Sequence, residues 1–480
     1  MSLPGATLIP LETFDSSTPR PKEPLVRPGD VVAVLGLGAS GVAAARLAKA
    51  HGAEVYASDI SAGELQDAAA AELGAEMIEA EAGRHDLDRI CASDLVVVSP
   101  GIPPSAEVRR ALRAAGTPCV AEVELAYRDL TSRVIGITGT NGKTTTTALC
   151  EQILQTGGLN ALAGGNIGTP LCEIALREDQ PDWVVVELSS FQLADTDAFT
   201  SDIGILLNLA PDHLDRYRDV STYFADKKRL FRNAGVDSRW VLNADDTDVI
   251  ELARGVEGTC YLTSTSGPVE RGAYLDEDGA LRLVLPGRDE TWLAAEELRI
   301  LGRHNVSNAL AAGLAAALAG CEGASIGRAL SEFRGLPHRL ETVAIIEDVL
   351  WVNDSKATNV AATLVAVQAF ERPIVLILGG RHKGEPFVPL IPWLEHSAGV
   401  VAFGEAAPQV VVDLNGSVPA VHVEGSLESA VRAASGLARP GDVVLFSPAC
   451  ASFDMFRNYK ERGRAYRRAV EALDREGGAE

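Results

Sequence analysis

At 480 residues the chain is too long for a single core, and about 150 residues per domain predicts three domains. Its 46% hydrophobic and 23% charged residues describe an ordinary globular protein. A formal charge of −23 and a pI near 4.8 argue against nucleic acid or an anionic membrane as the main partner, so an anionic ligand needs a locally cationic or N–H-rich pocket.

Residues 1–26 are proline-rich and polar with a short apolar interruption, which predicts a disordered tail and no secretory leader. From 27 to 132, Val31-Val32-Ala33-Val34-Leu35, Glu54-Val55-Tyr56-Ala57, Leu95-Val96-Val97-Val98 and Pro118-Cys119-Val120 are apolar runs separated by helical patterns. The alternation predicts a Rossmann-like parallel sheet covered on both faces. Gly36-Leu37-Gly38-Ala39-Ser40-Gly41 follows the first strand and opens a helix, and Asp59 ends the next strand. That fingerprint alone favours an NAD-dependent oxidoreductase, but the same loop holds any diphosphate. A second phosphate loop about a hundred residues later favours a nucleotide-sugar here.

The second block spans 133–337. Arg133-Val134-Ile135-Gly136 reads as a buried strand and Thr147-Ala148-Leu149-Cys150-Glu151 as a helix. Between them lie Ile137-Thr138-Gly139-Thr140-Asn141-Gly142-Lys143-Thr144-Thr145-Thr146. A glycine-rich turn at a helix start presents free N–H groups to an anion, a lysine to the outer phosphates and a threonine hydroxyl to Mg²⁺. The general P-loop has glycine five positions before Gly142, where this chain has Ile137. Trp183-Val184-Val185-Val186-Glu187 and Ile203-Gly204-Ile205-Leu206-Leu207-Asn208 are further buried strands. Glu187, at a strand end, suits Mg²⁺ against ATP phosphates, and His213, in Pro211-Asp212-His213-Leu214-Asp215, suits a metal or phosphate. Shorter alternating segments over 258–300 predict an antiparallel addition, giving a mixed sheet. A helix from Asn305 to about Ala319 closes the block; its apolar run is too short for a bilayer. Gly335-Leu336-Pro337-His338-Arg339 reads as a linker.

The third block, 338–480, alternates again and is expected to be Rossmann-like. Its strands are Val349-Leu350-Trp351-Val352, Ile374-Val375-Leu376-Ile377-Leu378, Val400-Val401-Ala402-Phe403 and Val443-Val444-Leu445-Phe446. Polar or glycine residues follow each, where α/β sheets bind ligands. Seven dispersed cysteines without a Cys-x-x-Cys pair read as reduced thiols. A cytoplasmic location and a monomer are expected.

Gly-Thr-Asn-Gly-Lys-Thr (139–144) resembles the phosphate loop of the amide ligases of peptidoglycan and folylpolyglutamate synthesis. The resemblance extends through Gly164-Gly165-Asn166-Ile167-Gly168, the segment 187–193, Asp212-His213-Leu214-Asp215-Arg216-Tyr217, Asn243-Ala244-Asp245-Asp246, Gly302-Arg303-His304-Asn305 and Leu336-Pro337-His338-Arg339. The chain is similar over nearly its whole length to the Mur ligase superfamily. Asn353-Asp354-Ser355-Lys356-Ala357-Thr358-Asn359 and Ser447-Pro448-Ala449-Cys450-Ala451-Ser452-Phe453-Asp454 resemble its D-glutamate-adding branch.

That resemblance implies an ATP-dependent amide ligase with UDP-N-acetylmuramoyl-L-alanine and D-glutamate as substrates and an acyl-phosphate intermediate. ATP would meet Gly139, Thr140, Asn141, Gly142, Lys143, Thr144, Thr145, Asn305, Arg339 and Asp354. Thr144 and Glu187 would hold one Mg²⁺; His213 and Lys227, which aligns with a family lysine carried as an N-carbamate, would hold a second. Asn166 would position substrate. Ala39, Ser40, Asp59, Ser99, Pro100 and Gly101 would meet the nucleotide-sugar, with Ile60 near the base. Lys356, Thr358, Lys383, Ser452 and the backbone at Phe453 would receive D-glutamate. The residues before Lys383, Gly379-Gly380-Arg381-His382, depart from the family pattern. The competing readings are another amino-acid-adding ligase of this superfamily, a folylpolyglutamate-type ligase, and the NAD-dependent oxidoreductase. For Lys227, the ordinary alternative is a lysine on a solvated helix face.

Overall fold

The protein is described by a computed structural model covering residues 23–477 except 214, 215, 371, 415, 419 and 420. The chain divides into two compact units. One holds the described residues up to Glu297 together with His304–Glu332; the other holds Leu298–Arg303 and the described residues from Phe333.

In the first unit, β1 (Val31–Leu35), β2 (Glu54–Asp59), β3 (Glu79–Ala82), β4 (Leu95–Val98) and β5 (Cys119–Ala121) form a sheet of order β3-β2-β1-β4-β5. Every pairing is parallel. Helical crossovers cover both faces of such a sheet, which is why its central strands are apolar throughout. The chain runs outward from β1 to β3 and then returns to β4. The order therefore reverses between β1 and β4, opening a crevice at their carboxyl ends. β3 was not expected from the sequence: at the sheet edge, Glu79-Ala80-Glu81-Ala82 is only half covered and carries no apolar run.

The second sheet contains β6 (Arg133–Thr138), β7 (Ala161–Gly165), β8 (Trp183–Glu187), β9 (Ile203–Leu206), β10 (Arg239–Asn243), β11 (Thr259–Ser264), β12 (Gly272–Leu275), β13 (Ala280–Leu285) and β14 (Arg288–Ala294). Its order is β14-β13-β12-β11-β10-β9-β6-β8-β7, which places β6 between β8 and β9. The antiparallel addition expected over 258–300 begins later than the sequence suggested. β11 and β12 remain parallel to the sheet, and only the β12–β13 and β13–β14 pairings are antiparallel, so β13 alone runs against the sheet. Nor does the helix Arg303–Leu318 close the block, because Gly323–Glu332 follows it. A Cβ on Gly327 would lie 2.3 Å from the Trp292 carbonyl, so glycine lets this second helix approach β14 closely.

The first two sheets share one apolar core, joined by the wholly buried helix Glu122–Tyr127. Glu122 Oε1 accepts the Cys172 N–H at 2.6 Å, and Glu124 accepts those of Asp197, Ala198 and Phe199 at 2.9–3.1 Å. Burial pushes the Glu122 carboxyl up to about 7. The tail expected over 1–26 ends sooner: Val26 is buried and Leu25 packs on the core, while residues 1–22 lie outside the described residues.

The second unit carries β15 (Glu341–Ile346), β16 (Val349–Asn353), β17 (Ile374–Gly379), β18 (Gly399–Phe403), β19 (Val421–Glu424) and β20 (Val443–Phe446) in order β15-β16-β20-β17-β18-β19. Only β15 is antiparallel. Leu376 and Leu445 pack on one face, and Val375, Val444 and Phe446 on the other. The carboxyl ends of β16, β17 and β20 lead into 353–359, 379–384 and 447–454. All seven cysteines are free, and among the described residues no helix is long and apolar enough to cross a membrane.

Candidate functional site

The phosphate loop joins β6 to the fourteen-residue helix Lys143–Thr156. Gly142 caps that helix at φ +82°, and a Cβ there would lie 2.3 Å from Asn308 Oδ1. Thr146 Oγ1 donates to the same oxygen at 3.3 Å, and Asn308 Nδ2 donates to Asn305 Oδ1 at 3.0 Å. Asn305 is thereby tied to the loop across a long stretch of sequence. On the other side, Asn208 Oδ1 accepts the Asn141 N–H at 2.8 Å, and Asn208 Nδ2 donates to the Asn141 carbonyl at 3.1 Å. Thr140 Oγ1 donates to the Ala210 carbonyl. Lys143 Nζ donates to the Gly139 and Thr140 carbonyls, both at 2.9 Å. Thr144 and Thr145 stand in the first helical turn, where free N–H groups favour an anion.

Glu187 ends β8 in register with Ile137 and is 1% exposed. Its Oε1 accepts from Asn166 Nδ2 at 2.9 Å, while Oε2 is buried without a hydrogen-bond partner. A buried carboxylate oxygen left unpaired is costly, and a hard cation satisfies it. The residues therefore fit Mg²⁺. Among the described residues no three His, Cys, Asp or Glu side chains form a metal cage. That suits an ion held by one or two carboxylates, a hydroxyl and substrate phosphates.

His213 takes φ +55° and stays half exposed, its ring centred 5.1 Å from Phe191 and 6.0 Å from Tyr223. Tyr223 also spans to Lys227, whose Nζ sits 4.6 Å from the ring centre. Lys227 is buried and donates to the Gly139 carbonyl at 2.7 Å, which overturns the solvated-face alternative. Burial and the nearby Lys143 hold its amine well below the ordinary lysine range.

In the first sheet, Gly36-Leu37-Gly38 leads from β1 into the helix Ala39–Ala50, which starts with Ala39 and Ser40. A Cβ on Gly41 would meet the Gly36 carbonyl at 1.8 Å, so the tight turn requires glycine. Asp59 Oδ2 accepts the Leu37 N–H at 2.9 Å, and Ser99 Oγ lies where a Gly36 Cβ would collide. Asp59 and Ser99 thus both approach the Gly36-Leu37 turn at the β1/β4 crevice. Pro100 is half-buried, Gly101 exposed, and Ile60 65% exposed.

In the second unit, Asp354 is buried at the end of β16, where Ser447 Oγ donates to it at 2.8 Å and the Leu340 N–H at 3.2 Å. Burial raises its carboxyl to about 7, against hydrogen bonds and the opposing charges of Arg339 and Lys356. Lys356 and Thr358 are half-buried, Lys383 and Phe453 exposed, and Ser452 buried, on three adjacent strand-end loops.

Residues 30–121 match the Mur ligase MurD-like N-terminal domain, 137–316 the Mur ligase middle domain, and 338–450 the Mur ligase glutamate ligase domain. UDP-N-acetylmuramoylalanine--D-glutamate ligases from Acidobacterium capsulatum and Salinibacter ruber are each 42% identical over 92% of this chain, and over 96% and 97% of their own. The chain belongs to the Mur ligase family. UDP-N-acetylmuramate-alanine ligase MurC from Thermotoga maritima shares the fold at 20% identity and TM-score 0.57, over 92% of this chain and all of that one. A pseudomurein peptide ligase type C from Methanothermus fervidus does so at 21% identity and TM-score 0.56, over 93% of this chain and 100% of that one.

Several residues that shape the site in this Mur ligase escaped sequence reasoning. Asn208 was seen only as a strand end, yet it clamps Asn141 from both sides. Asn308 sits one helical turn after Asn305, a spacing that could have flagged it. Tyr223 left no motif: its place between His213 and Lys227 comes from packing inside the fold.

Proposed function

We propose that this Mur ligase couples ATP cleavage to amide formation between UDP-N-acetylmuramoyl-L-alanine and D-glutamate, a cytoplasmic step of peptidoglycan precursor synthesis carried out by a monomer. The observation that carries the reading is the buried Glu187 carboxylate, one oxygen unpartnered, in register with the strand that feeds the phosphate loop. The 42% identity over nearly full length to ligases of that name supports the choice of substrates.

The alanyl carboxylate attacks the γ-phosphate to give an acyl phosphate and ADP; the D-glutamate amine then displaces phosphate and loses a proton. Such a reaction depends on positioning and charge neutralisation more than on a covalent enzyme group. Lys143 and the N–H groups of 139–145 hold the ATP phosphates, with Asn305, Arg339 and Asp354 as further ATP contacts. Thr144 and Glu187 would hold Mg²⁺, which supplies charge neutralisation at the phosphates when bound. His213 and an N-carbamate on Lys227 would hold a second ion. A protonated ammonium offers donors only, whereas the carbamate formed from the neutral amine and CO₂, with loss of a proton, offers anionic oxygens. Asn166, fixed by Glu187, orients the attacking substrate.

In this reading 27–132 binds the nucleotide-sugar through Ala39, Ser40, Asp59, Ser99, Pro100 and Gly101, and 133–337 binds ATP. Residues 338–480 bind D-glutamate through Lys356, Thr358, Lys383, Ser452 and Phe453. The deciding experiment is phosphate release from ATP and the UDP-substrate with each candidate amino acid. D-Glutamate alone should support it; equal release with L-glutamate or L-alanine would sink the assignment, and stabilisation by NAD alone would favour an oxidoreductase.

A further inference from the structure

Arg462 has one of the largest fully buried side chains of the protein, yet among the described residues no carboxylate pairs with it. Asp454 and Asp354 are near enough to act on its charge, but neither forms an ion pair with it. A buried cation without a paired counter-charge is expensive, and an apolar side chain would fill the same space at less cost. Its side-chain hydrogen bonds go to three loop segments. Nη1 donates to the Cys450 carbonyl at 2.9 Å, the Ala451 carbonyl at 3.2 Å and the Gly379 carbonyl at 3.4 Å. Nη2 donates to the Ser355 carbonyl at 2.8 Å, and Nε to Ser355 Oγ at 3.1 Å.

These acceptors are not scattered. Ser355 precedes Lys356, Ala451 precedes Ser452, and Gly379 opens the loop that reaches Lys383. The strand ladders of β16, β20 and β17 stop at Asn353, Phe446 and Gly379, so beyond them ladder hydrogen bonds no longer set the spacing of these loops. Other contacts tighten the same cluster. Arg381 and Ala451 exchange backbone hydrogen bonds of 2.8 and 3.1 Å. A Cβ on Gly380, at φ +127°, would lie 2.3 Å from the Ala451 carbonyl and 2.8 Å from Arg462 Nη1. Ser355 Oγ in turn donates to the Tyr459 carbonyl at 2.8 Å, tying the loop to the helix that carries Arg462.

We propose that Arg462 is a positioning residue for the amino-acid substrate: its guanidinium fork fixes the mutual spacing of the loops bearing Lys356 and Thr358, Lys383, and Ser452. The inference rests on the reading of those loops as the D-glutamate site. A dicarboxylate gripped by groups on separate loops is sensitive to their separation, and a planar five-donor fork can hold three backbones at once. Lysine keeps the charge but offers one nitrogen, so it cannot reproduce the fork.

The test is steady-state kinetics of the full-length Arg462→Lys and Arg462→Gln variants with each substrate varied in turn. We expect the KM for D-glutamate to rise about tenfold or more, with the KM for ATP and for the UDP-substrate within about twofold of wild type. An unchanged KM for D-glutamate in folded variants overturns the proposal, as does an equal rise for all three substrates. If neither variant folds, Ser355→Ala, which removes only the Nε acceptor and the tie to Tyr459, decides by the same selective rise or its absence. Wild-type phosphate release that is independent of D-glutamate would overturn the ligase reading itself. Intact D-glutamate dependence with unshifted variants overturns only the role of Arg462.

Discussion

Lys227 Nζ lies 2.7 Å from the carbonyl oxygen of Gly139, although 88 residues separate them in the chain. The contact places a buried amine directly against the phosphate loop, with a second cation, Lys143, close enough to depress its pKa further. Such an amine is neutral, and so able to take up CO₂, at a lower pH than an exposed lysine.

Lys227→Ala should therefore be nearly inactive. Acetate or another short carboxylate should restore part of the turnover by occupying the vacated space with anionic oxygens. Turnover measured with and without added carboxylate checks this; full activity of the alanine variant would show that the loop needs no carbamate.

Gly142→Ala tests the cradle from the opposite wall. The added Cβ meets Asn308 Oδ1 at 2.3 Å and must adopt φ +82°. We expect at least a hundredfold or so loss in turnover, since a misplaced phosphate loop loses its transition-state geometry. Adding Asn308→Ala removes the clash but not the left-handed strain, so the double variant should recover only in part. Strict additivity of the two losses would mean that the side chains do not meet.

Lys143→Ala should abolish turnover while leaving the chain folded, as an unfolding transition would check, because the lysine stands half-buried at the start of its helix and not in a packed core. Loss of a cation at the transferring phosphoryl group costs on the order of several kcal/mol in the transition state. Comparable activity would place ATP elsewhere.

What the sequence revealed divides along physical lines. Strands buried on both faces, such as Val31–Leu35 and Trp183–Glu187, declare themselves because nothing polar fits there. The edge strand Glu79–Ala82 does not, since half of it faces water. Glycine loops were legible because the backbone there tolerates no Cβ, as at Gly41 and Gly142. The burial of Lys227 and Arg462 was not: a lysine or arginine on a helix reads as a solvated charge until the packing around it is known.

Lys383→Ala should raise the KM for D-glutamate with little change in that for ATP. Lys383 is exposed on the loop that begins at Gly379, so its removal leaves the core intact and takes away one charge-assisted contact to a carboxylate. A rise of about tenfold or more is expected, and equal KM values in variant and wild type would remove Lys383 from the site.

Glu122 makes the junction between the first two sheets pH-sensitive. Its buried carboxyl titrates near 7 in the folded chain, against an ordinary value of 4.5. Between those values the folded protein keeps a proton that the unfolded chain has released, so stability falls as pH rises from 4.5 to 7. Below 4.5 both states are protonated and the effect vanishes; above 7 it is constant. The gap corresponds to roughly 3 kcal/mol. Glu122→Gln is neutral throughout and can still accept the Cys172 N–H, though its amide nitrogen is left where Glu122 Oε2 has no partner. That unpaired donor shifts the variant by a constant amount but adds no slope. Denaturant midpoints across the range should thus show the variant gaining on wild type by about 3 kcal/mol between pH 4.5 and 8. Parallel stability profiles would mean that Glu122 stays ionised inside the junction, held by the Cys172 N–H.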